Sequence, residues 1–254
     1  MHVCIVVPCY NEERRLDGDT FVTFVAEAQR ADLTVDLLFV NDGSTDATGE
    51  VLETLTSRIG DRASWLQLSE NRGKSGAVRA GLQHVLDHMP DCEFMGYWDA
   101  DLATPLDEIP AFMTYFQQRP DVLAVLGSRV QLLGRHIERQ AIRHYLGRVF
   151  ATAASAVLAL PVYDTQCGAK IFRRHPVLTA ALQTPFLSRW AFDVELLARM
   201  GDACADNGLR SLVDVVVEHP LQTWCDKAGT KVKPWDFPVA LLQLGRIAMR
   251  TRVP

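Results

Sequence analysis

The sequence predicts an α/β fold, a three-layer sandwich with a mostly parallel central sheet, and three observations predict it. Short β-branched runs alternate with amphipathic helical stretches through residues 1–128. The runs are apolar along their length, as strands covered on both faces are. Each closes on a cluster of turn-forming or acidic residues, the pattern of a strand end at a sheet's carboxyl edge.

The elements follow in order. His2 to Val7 is a strand closed by Pro8, and Thr34 to Val40 a second, closed by Asn41, Asp42 and Gly43. Between them Phe21, Val22, Phe24, Val25 and Ala28 share one helical face. Ser44 or Thr45 is placed to cap a helix carrying Val51, Leu52 and Leu55. Trp65 to Leu68 is a third strand, Ala77 to Met89 a helix, and Glu93 to Trp98 a fourth strand. Ile109 to Gln118 is a helix after the Pro105 turn, and Val122 to Leu126 a fifth strand. Beyond Arg129 the pattern becomes a long helix, with Ile142, Leu146, Val149, Phe150, Ala153 and Val157 as its apolar stripe and Arg139, Arg143 and Arg148 among them. Leu187 to Met200 is a further helix, Val213 to Val217 a late strand, and Phe237 to Met249 an amphipathic tail.

A chain of 254 residues lies near the upper end of what one core serves, so a single domain over residues 1–254 is expected. Its 48% apolar and 22% charged residues are those of a globular protein. Six cysteines without CxxC spacing, and no signal-peptide pattern, predict a reduced cytoplasmic setting. The most apolar stretch, Val149 to Val162, is too short for a spanning helix. A net charge of −5 argues against nucleic acid as a partner. The charge is uneven, however: residues 129–148 hold five arginines against Glu138, and residues 227–254 six basic residues against Asp236. Two basic patches on an acidic body suit an anionic substrate or a membrane-facing edge, and also suit solvated helix faces.

The chemistry concentrates at strand ends. In GYWDADLATP, Asp99 and Asp101 lie just past an apolar strand, and two hard carboxylates there suit Mg²⁺ or Mn²⁺ carried on phosphate oxygens. Acidic pairs after strands are also common as turns. VVPCYNEERRL (Val6 to Leu16) and LLFVNDGSTDAT (Leu37 to Thr48) end strands where bases and riboses dock in doubly wound sheets. Asp42 can accept from a base or ribose donor, or simply form the turn with its neighbours. ENRGKSGAVRAGL frames Lys74 between Gly73 and Gly76, but Leu68 stands where a Walker loop needs its first glycine, which excludes an ATPase P-loop.

Together and in this order, these segments resemble family 2 glycosyltransferases of the GT-A fold, a Rossmann-like architecture, and most closely the polyprenyl-phosphate glycosyltransferases. DTQCGAKIF (Asp164 to Phe172), RWAFDVELL (Arg189 to Leu197) and AGTKV (Ala228 to Val232) look like the dolichyl-phosphate glucosyltransferase branch. The resemblance implies a nucleotide-sugar-binding half over 1–128 and an acceptor-binding half over 129–254. It implies that Pro8, Tyr10, Glu12 and Asp42 surround base and ribose, with Lys74 near the donor. Asp99 and Asp101 would bind the metal, and Arg129, Arg139 and Arg143 would face the acceptor phosphate. Gln166 and Gly168 would shape the sugar pocket, with Asp193 and Glu195 at its floor, and Lys231 would close over the diphosphate.

The implied reaction inverts the anomeric carbon, moving a hexose from UDP-glucose, with GDP-mannose the other donor considered, to a polyprenyl phosphate. An ionised phosphate needs positioning by arginine rather than a base; a hydroxyl acceptor would need one, for which Asp193 is the candidate, its other reading being a helix N-terminal carboxylate. Two rivals stand beside this reading. One keeps the donor but takes a soluble glycan, small molecule or protein as acceptor, and the other is a nucleotide-sugar-binding module without turnover. Ala103 stands where mannosyl relatives commonly carry glutamine, which favours the glucosyl branch, and Asn41 replaces an acidic residue usual before Asp42. Many bacterial relatives carry C-terminal membrane helices, whereas this sequence ends at Pro254; peripheral membrane contact is therefore expected from the arginine-bearing helix and the tail. His219 is a candidate third metal ligand or an ordinary strand end, and His84 with His88 reads as a helix surface.

Overall fold

A computed structural model describes residues 1–138, 141–209, 211–226 and 236–250, the side chains of 141–146 and 236–238 excepted. The first half alternates as the sequence predicts: β1 (His2–Cys9), α1 (Gly18–Arg30), β2 (Thr34–Asn41), α2 (Thr48–Ile59), β3 (Ala63–Gln67), α3 (Gly73–His88) and β4 (Phe94–Trp98). A single 3₁₀ turn, Leu106–Glu108, leads into α4 (Ile109–Gln118), followed by β5 (Ala124–Ser128) and β6 (His136–Glu138). The second half holds α5 (Ala141–Leu158), β7 (Ala169–Arg173), α6 (Pro176–Leu182), α7 (Phe192–Asp206), α8 (Leu212–Val215), β8 (Val216–Pro220), β9 (Thr223–Cys225) and α9 (Asp236–Ala248).

Seven strands form one sheet in the order β3-β2-β1-β4-β7-β5-β8, with β6 and β9 pairing separately. Within it β7 runs antiparallel to both β4 and β5, and the remaining pairs are parallel. Period-two alternation splits each strand between two cores. In β1, Val3, Ile5 and Val7 join one core with α1, α2 and α4, while Cys4 and Val6 join the other with α3, α6, α7 and part of α5 and α9. In β4, Met95 and Tyr97 face the second core, and Phe94 and Trp98 the first.

Several boundaries differ from the sequence reading. Helix α2 starts at Thr48 because Asp46 Oδ1 accepts the Thr48 amide at 3.0 Å, while Ser44 and Thr45 are committed to Asn11 across the cleft. Helix α3 starts at Gly73, four residues before Ala77, which sets Lys74 in its first turn. Residues 187–191 are not helical: the Glu195 carboxylate accepts the amides of Leu187 and Ser188, and Ser188 Oγ accepts that of Ala191 at 2.6 Å, so α7 begins at Phe192. The late strand is β8, and Val213 lies in the helical turn before it. Strand β7 and helix α6 have no counterpart in the sequence reading.

Candidate active site at the carboxyl edge of the sheet

Strands β1, β2 and β4 end at one edge, and antiparallel β7 begins there, since Trp98 pairs with Ala169. The loops after β1 and β2 are latched together. Asn11, at φ +53°, donates its amide to Ser44 Oγ at 3.0 Å and accepts the Thr45 amide at 2.9 Å; Glu12 donates its amide to Thr48 Oγ1 at 2.8 Å. The Glu12 carboxylate pairs with Arg15 at 2.6 Å. Pro8 and Tyr10 stand half-buried beside this latch.

Asp42 is only 2% exposed, and its Oδ1 accepts the Arg72 amide at 2.8 Å. It therefore ties the β2 loop to the segment that starts α3. Burial raises the Asp42 pKa, against the amides of Arg72 and Gly73 and the charges of Arg189 and Arg72.

The two aspartates of the motif sit on a tight turn. Asp99 donates its amide to Gly168 O at 3.0 Å, Leu102 returns its own to Asp99 O at 3.1 Å with φ +52°, and Asp101 Oδ1 accepts the Ala103 amide at 3.0 Å. Beneath, the buried Trp98 indole donates to Thr104 O at 2.8 Å. Gly168 lies under the Asp99 carboxylate: a Cβ there would overlap Asp99 Oδ2. Lys74 reaches Asp99 Oδ1 at 2.5 Å. Burial works to lower the Lys74 pKa, but the charges of Asp99, Asp193 and Asp101 overcome it and raise the value. Asp101 has a solvent-open surface, yet the protein mass around it and then the Asp99 carboxylate raise its pKa. Among the described residues, the Asp99 and Asp101 carboxylates, with the Lys74 ammonium on the first, fit a divalent metal whose remaining ligands would be phosphate and water.

Below the turn lies a group the sequence reading passed over. Lys170 of β7 is fully buried and donates to Asp193 Oδ1 and Cys167 O, both at 2.6 Å, with Tyr97 donating to the same Asp193 oxygen. Asp193 is thus a buried partner of Lys170 and Tyr97 rather than an open floor to the cleft. Glu195 is also buried, turned to the Leu187 and Ser188 amides and to Arg199 at 2.5 Å, which removes it from the predicted pocket floor.

The 163–168 loop is held from every side. Arg129 grips Asp164 in two-pronged fashion, Nε to Oδ2 at 2.6 Å and Nη2 to Oδ1 at 2.8 Å, and lies 5.3 Å from the Trp224 ring centroid. Burial works to lower the Arg129 pKa, and Asp164 raises it well beyond the ordinary value. Glu218 accepts the Tyr163 and Asp164 amides at 2.7 and 2.8 Å; Gln166 donates to Trp190 O at 2.9 Å. Arg148 lies over the Tyr163 ring at 4.5 Å, beside a hollow lined by Thr165 and Gln166. Of the predicted acceptor arginines, Arg129 is therefore engaged in the protein itself, while Arg139 and the side chain of Arg143, like Lys231, lie outside the described residues. His219 is buried with its ring nitrogens 3.0 Å from Glu108 Oε2 and 3.3 Å from the Tyr115 hydroxyl, away from Asp99 and Asp101 in the hydrogen-bond network.

A single charged residue inside the apolar run AKIF was the one sequence signal for Lys170; nothing in the sequence marked Tyr97 as its companion. Comparison with known proteins bears on the whole chain. The model of Glycosyl transferase family 2 matches residues 4–178. The dolichyl-phosphate beta-glucosyltransferase of Drosophila melanogaster is 31% identical over 97% of this chain and 73% of its own length. That of Homo sapiens is 29% identical over 95% and 72%. Among solved structures, glucosyl-3-phosphoglycerate synthase from Mycobacterium tuberculosis, in complex with Mn²⁺, UDP and glucosyl-3-phosphoglycerate, superposes with a TM-score of 0.66 over 100% of this chain and 81% of that one, at 18% identity. It has the same fold.

Proposed function

The chain belongs to glycosyl transferase family 2, and from that premise we propose that it transfers a hexose, glucose in preference, from a nucleotide sugar to a polyprenyl phosphate with inversion at the anomeric carbon. Relatives over nearly the whole chain carry the name dolichyl-phosphate beta-glucosyltransferase, which supports the acceptor class and the sugar. Pro8, Tyr10 and Glu12 form one wall for base and ribose, and Asp42 holds the loop that delivers Lys74. Asp99 and Asp101 hold Mg²⁺ or Mn²⁺, Gly168 leaving room for the first of them. The cation, when bound, neutralises charge gathering on the departing diphosphate. Lys74 adds a second positive charge on the same side, and Lys231 is assigned to close over the diphosphate. Gln166, fixed by Trp190, borders the sugar.

One observation favours a phosphate acceptor over a hydroxyl. The candidate base, Asp193, is 5% exposed and committed to Lys170 and Tyr97. An already ionised phosphate oxygen attacks without surrendering a proton, so it needs orientation alone. Arg139 and Arg143 are assigned to that orientation, and Arg129 braces the 163–168 loop. No helix among the described residues is long and apolar enough to cross a membrane. Peripheral contact through α5 and α9 is supported by exposed Val149, Leu242 and Met249 near Arg148, Arg246 and Arg250.

The test is incubation with UDP-glucose or GDP-mannose, with Mn²⁺ or EDTA, and with or without polyprenyl phosphate. Chelator-sensitive formation of a lipid-linked hexose is expected, abolished by Asp101→Asn in a folded variant. Diphosphate release indifferent to chelator, or glycosylation of a soluble acceptor alone, would overturn the reading.

A further inference from the structure

The opposite edge of the sheet carries a cluster to which the proposed transfer reaction assigns no role. His2 and Cys4 lie two residues apart on one face of β1, and Cys4 stands in register with Asp36 of β2. Cys92, just before β4, closes the group. His2 Nε2 is 2.7 Å from Asp36 Oδ2 and 3.5 Å from Cys92 Sγ, and Cys92 Sγ is 3.9 Å from Asp36 Oδ2. One ligand atom from each of these three residues falls within 4.8 Å of the others. The buried Cys4 thiol lies outside that set of mutually close ligand atoms.

We propose that His2, Asp36 and Cys92 form a tetrahedral zinc site, water completing the fourth position, that staples the amino ends of β1, β2 and β4, remote from the transfer cleft. The chemistry of the donors fits: a sulfur, an imidazole and one carboxylate oxygen are the ligand types zinc takes. Bond lengths of about 2.3 Å to sulfur and about 2.0 Å to nitrogen or oxygen put tetrahedral sulfur–nitrogen neighbours about 3.5 Å apart. The His2–Cys92 separation already has that value. The His2–Asp36 separation is shorter because a hydrogen bond spans it, and entry of the ion replaces that bond.

The surroundings are built to hold such an ion. Cys92 is fully buried, Asp36 is 8% exposed, and the partly exposed His2 is the route in. The segment bearing Cys92 is pinned by Arg174, which donates to the carbonyls of Val85, Leu86, Met89 and Cys92 at 2.6–3.1 Å. Arg62 binds the other Asp36 oxygen at 3.1 Å, leaving Oδ2 for the metal. The charges of Arg62 and Arg174 offset the negative ligands.

The experiment uses the full chain, stripped of metal and kept reduced with a phosphine, carrying Asp101→Asn so that the transfer cleft is silenced. Titration with Co²⁺ is expected to raise a thiolate-to-cobalt band in the near ultraviolet and the visible bands of a tetrahedral site. Zn²⁺ should displace it at about one ion per chain. Cys92→Ser and His2→Gln should each lose the thiolate band or its tetrahedral form, with unchanged far-ultraviolet circular dichroism, and Cys225→Ser should keep both. Zn²⁺ should also raise the melting temperature of the Asp101→Asn chain but not of its His2→Gln derivative. Absence of a thiolate band, its survival in Cys92→Ser, or its loss in Cys225→Ser would overturn the proposal.

Discussion

Replacing Lys170 by methionine tests how the floor of the cleft is held. The substitution keeps the length of the side chain and removes the ammonium from a pair whose members are 1% and 6% exposed. Asp193 then keeps the Tyr97 hydroxyl as a donor, and the Cys167 carbonyl loses its 2.6 Å partner. Breaking a buried pair from one side costs about 3–5 kcal/mol. For a chain of this size each kcal/mol lowers the melting temperature by about 2–4 °C, so a fall of roughly 6–20 °C is expected in scanning calorimetry. Adding Asp193→Leu and Tyr97→Phe removes the stranded groups and should recover most of the stability, because an apolar replacement of a buried pair is close to neutral. A Lys170→Met chain melting within about 2 °C of the parent, or a triple variant less stable than the single one, would refute the reasoning.

The remaining predictions concern the rim and the far side of the sheet. Gly168→Ala forces its new methyl group into the Asp99 carboxylate, and an overpacking cost of about 1–3 kcal/mol falls on that side chain; the Mn²⁺ concentration needed for half-maximal turnover should rise about tenfold or more, and an unchanged value would dismiss the contact. Lys74→Met frees Asp99 from its ammonium: Mn²⁺ should bind the donor-free protein more tightly while turnover falls, and weaker binding without donor would show that Lys74 does not compete for that carboxylate. Glu108 works against burial through its bonds from His219 and the Gln222 and Thr223 amides, which lower its pKa. Its contribution to stability is therefore complete above the ordinary glutamate range and lost as pH falls through the depressed value, and Glu108→Gln should flatten the acid limb of a melting-temperature profile; an acid limb of unchanged slope would contradict this.

The parallel half of the fold was legible because its information is local. An apolar run such as Val3 to Val7 or Leu37 to Val40 is long enough to name a strand, and the turn residues after it name the edge where ligands bind. Strand β7 escaped because it is five residues, inserts between β4 and β5 out of chain order, and has a lysine at its second position. That lysine was the useful clue. A charge inside AKIF is intolerable in a covered strand unless a partner waits, and Asp193, 23 residues on, is that partner. The same logic joins Arg129 to Asp164 across 35 residues. In both cases sequence reading saw a titratable group near the chemistry and gave it a chemical task, since residue type alone does not reveal whether its charge is already spent. The aspartates at positions 99 and 193 differ in this respect: one meets a lysine at the solvent rim with its side chain about a third exposed, the other a lysine in the core. A cation can exchange at the first, where water replaces what it displaces. At the second the desolvation cost ties the pair together, so the Asp193 carboxylate stays with Lys170 and Tyr97.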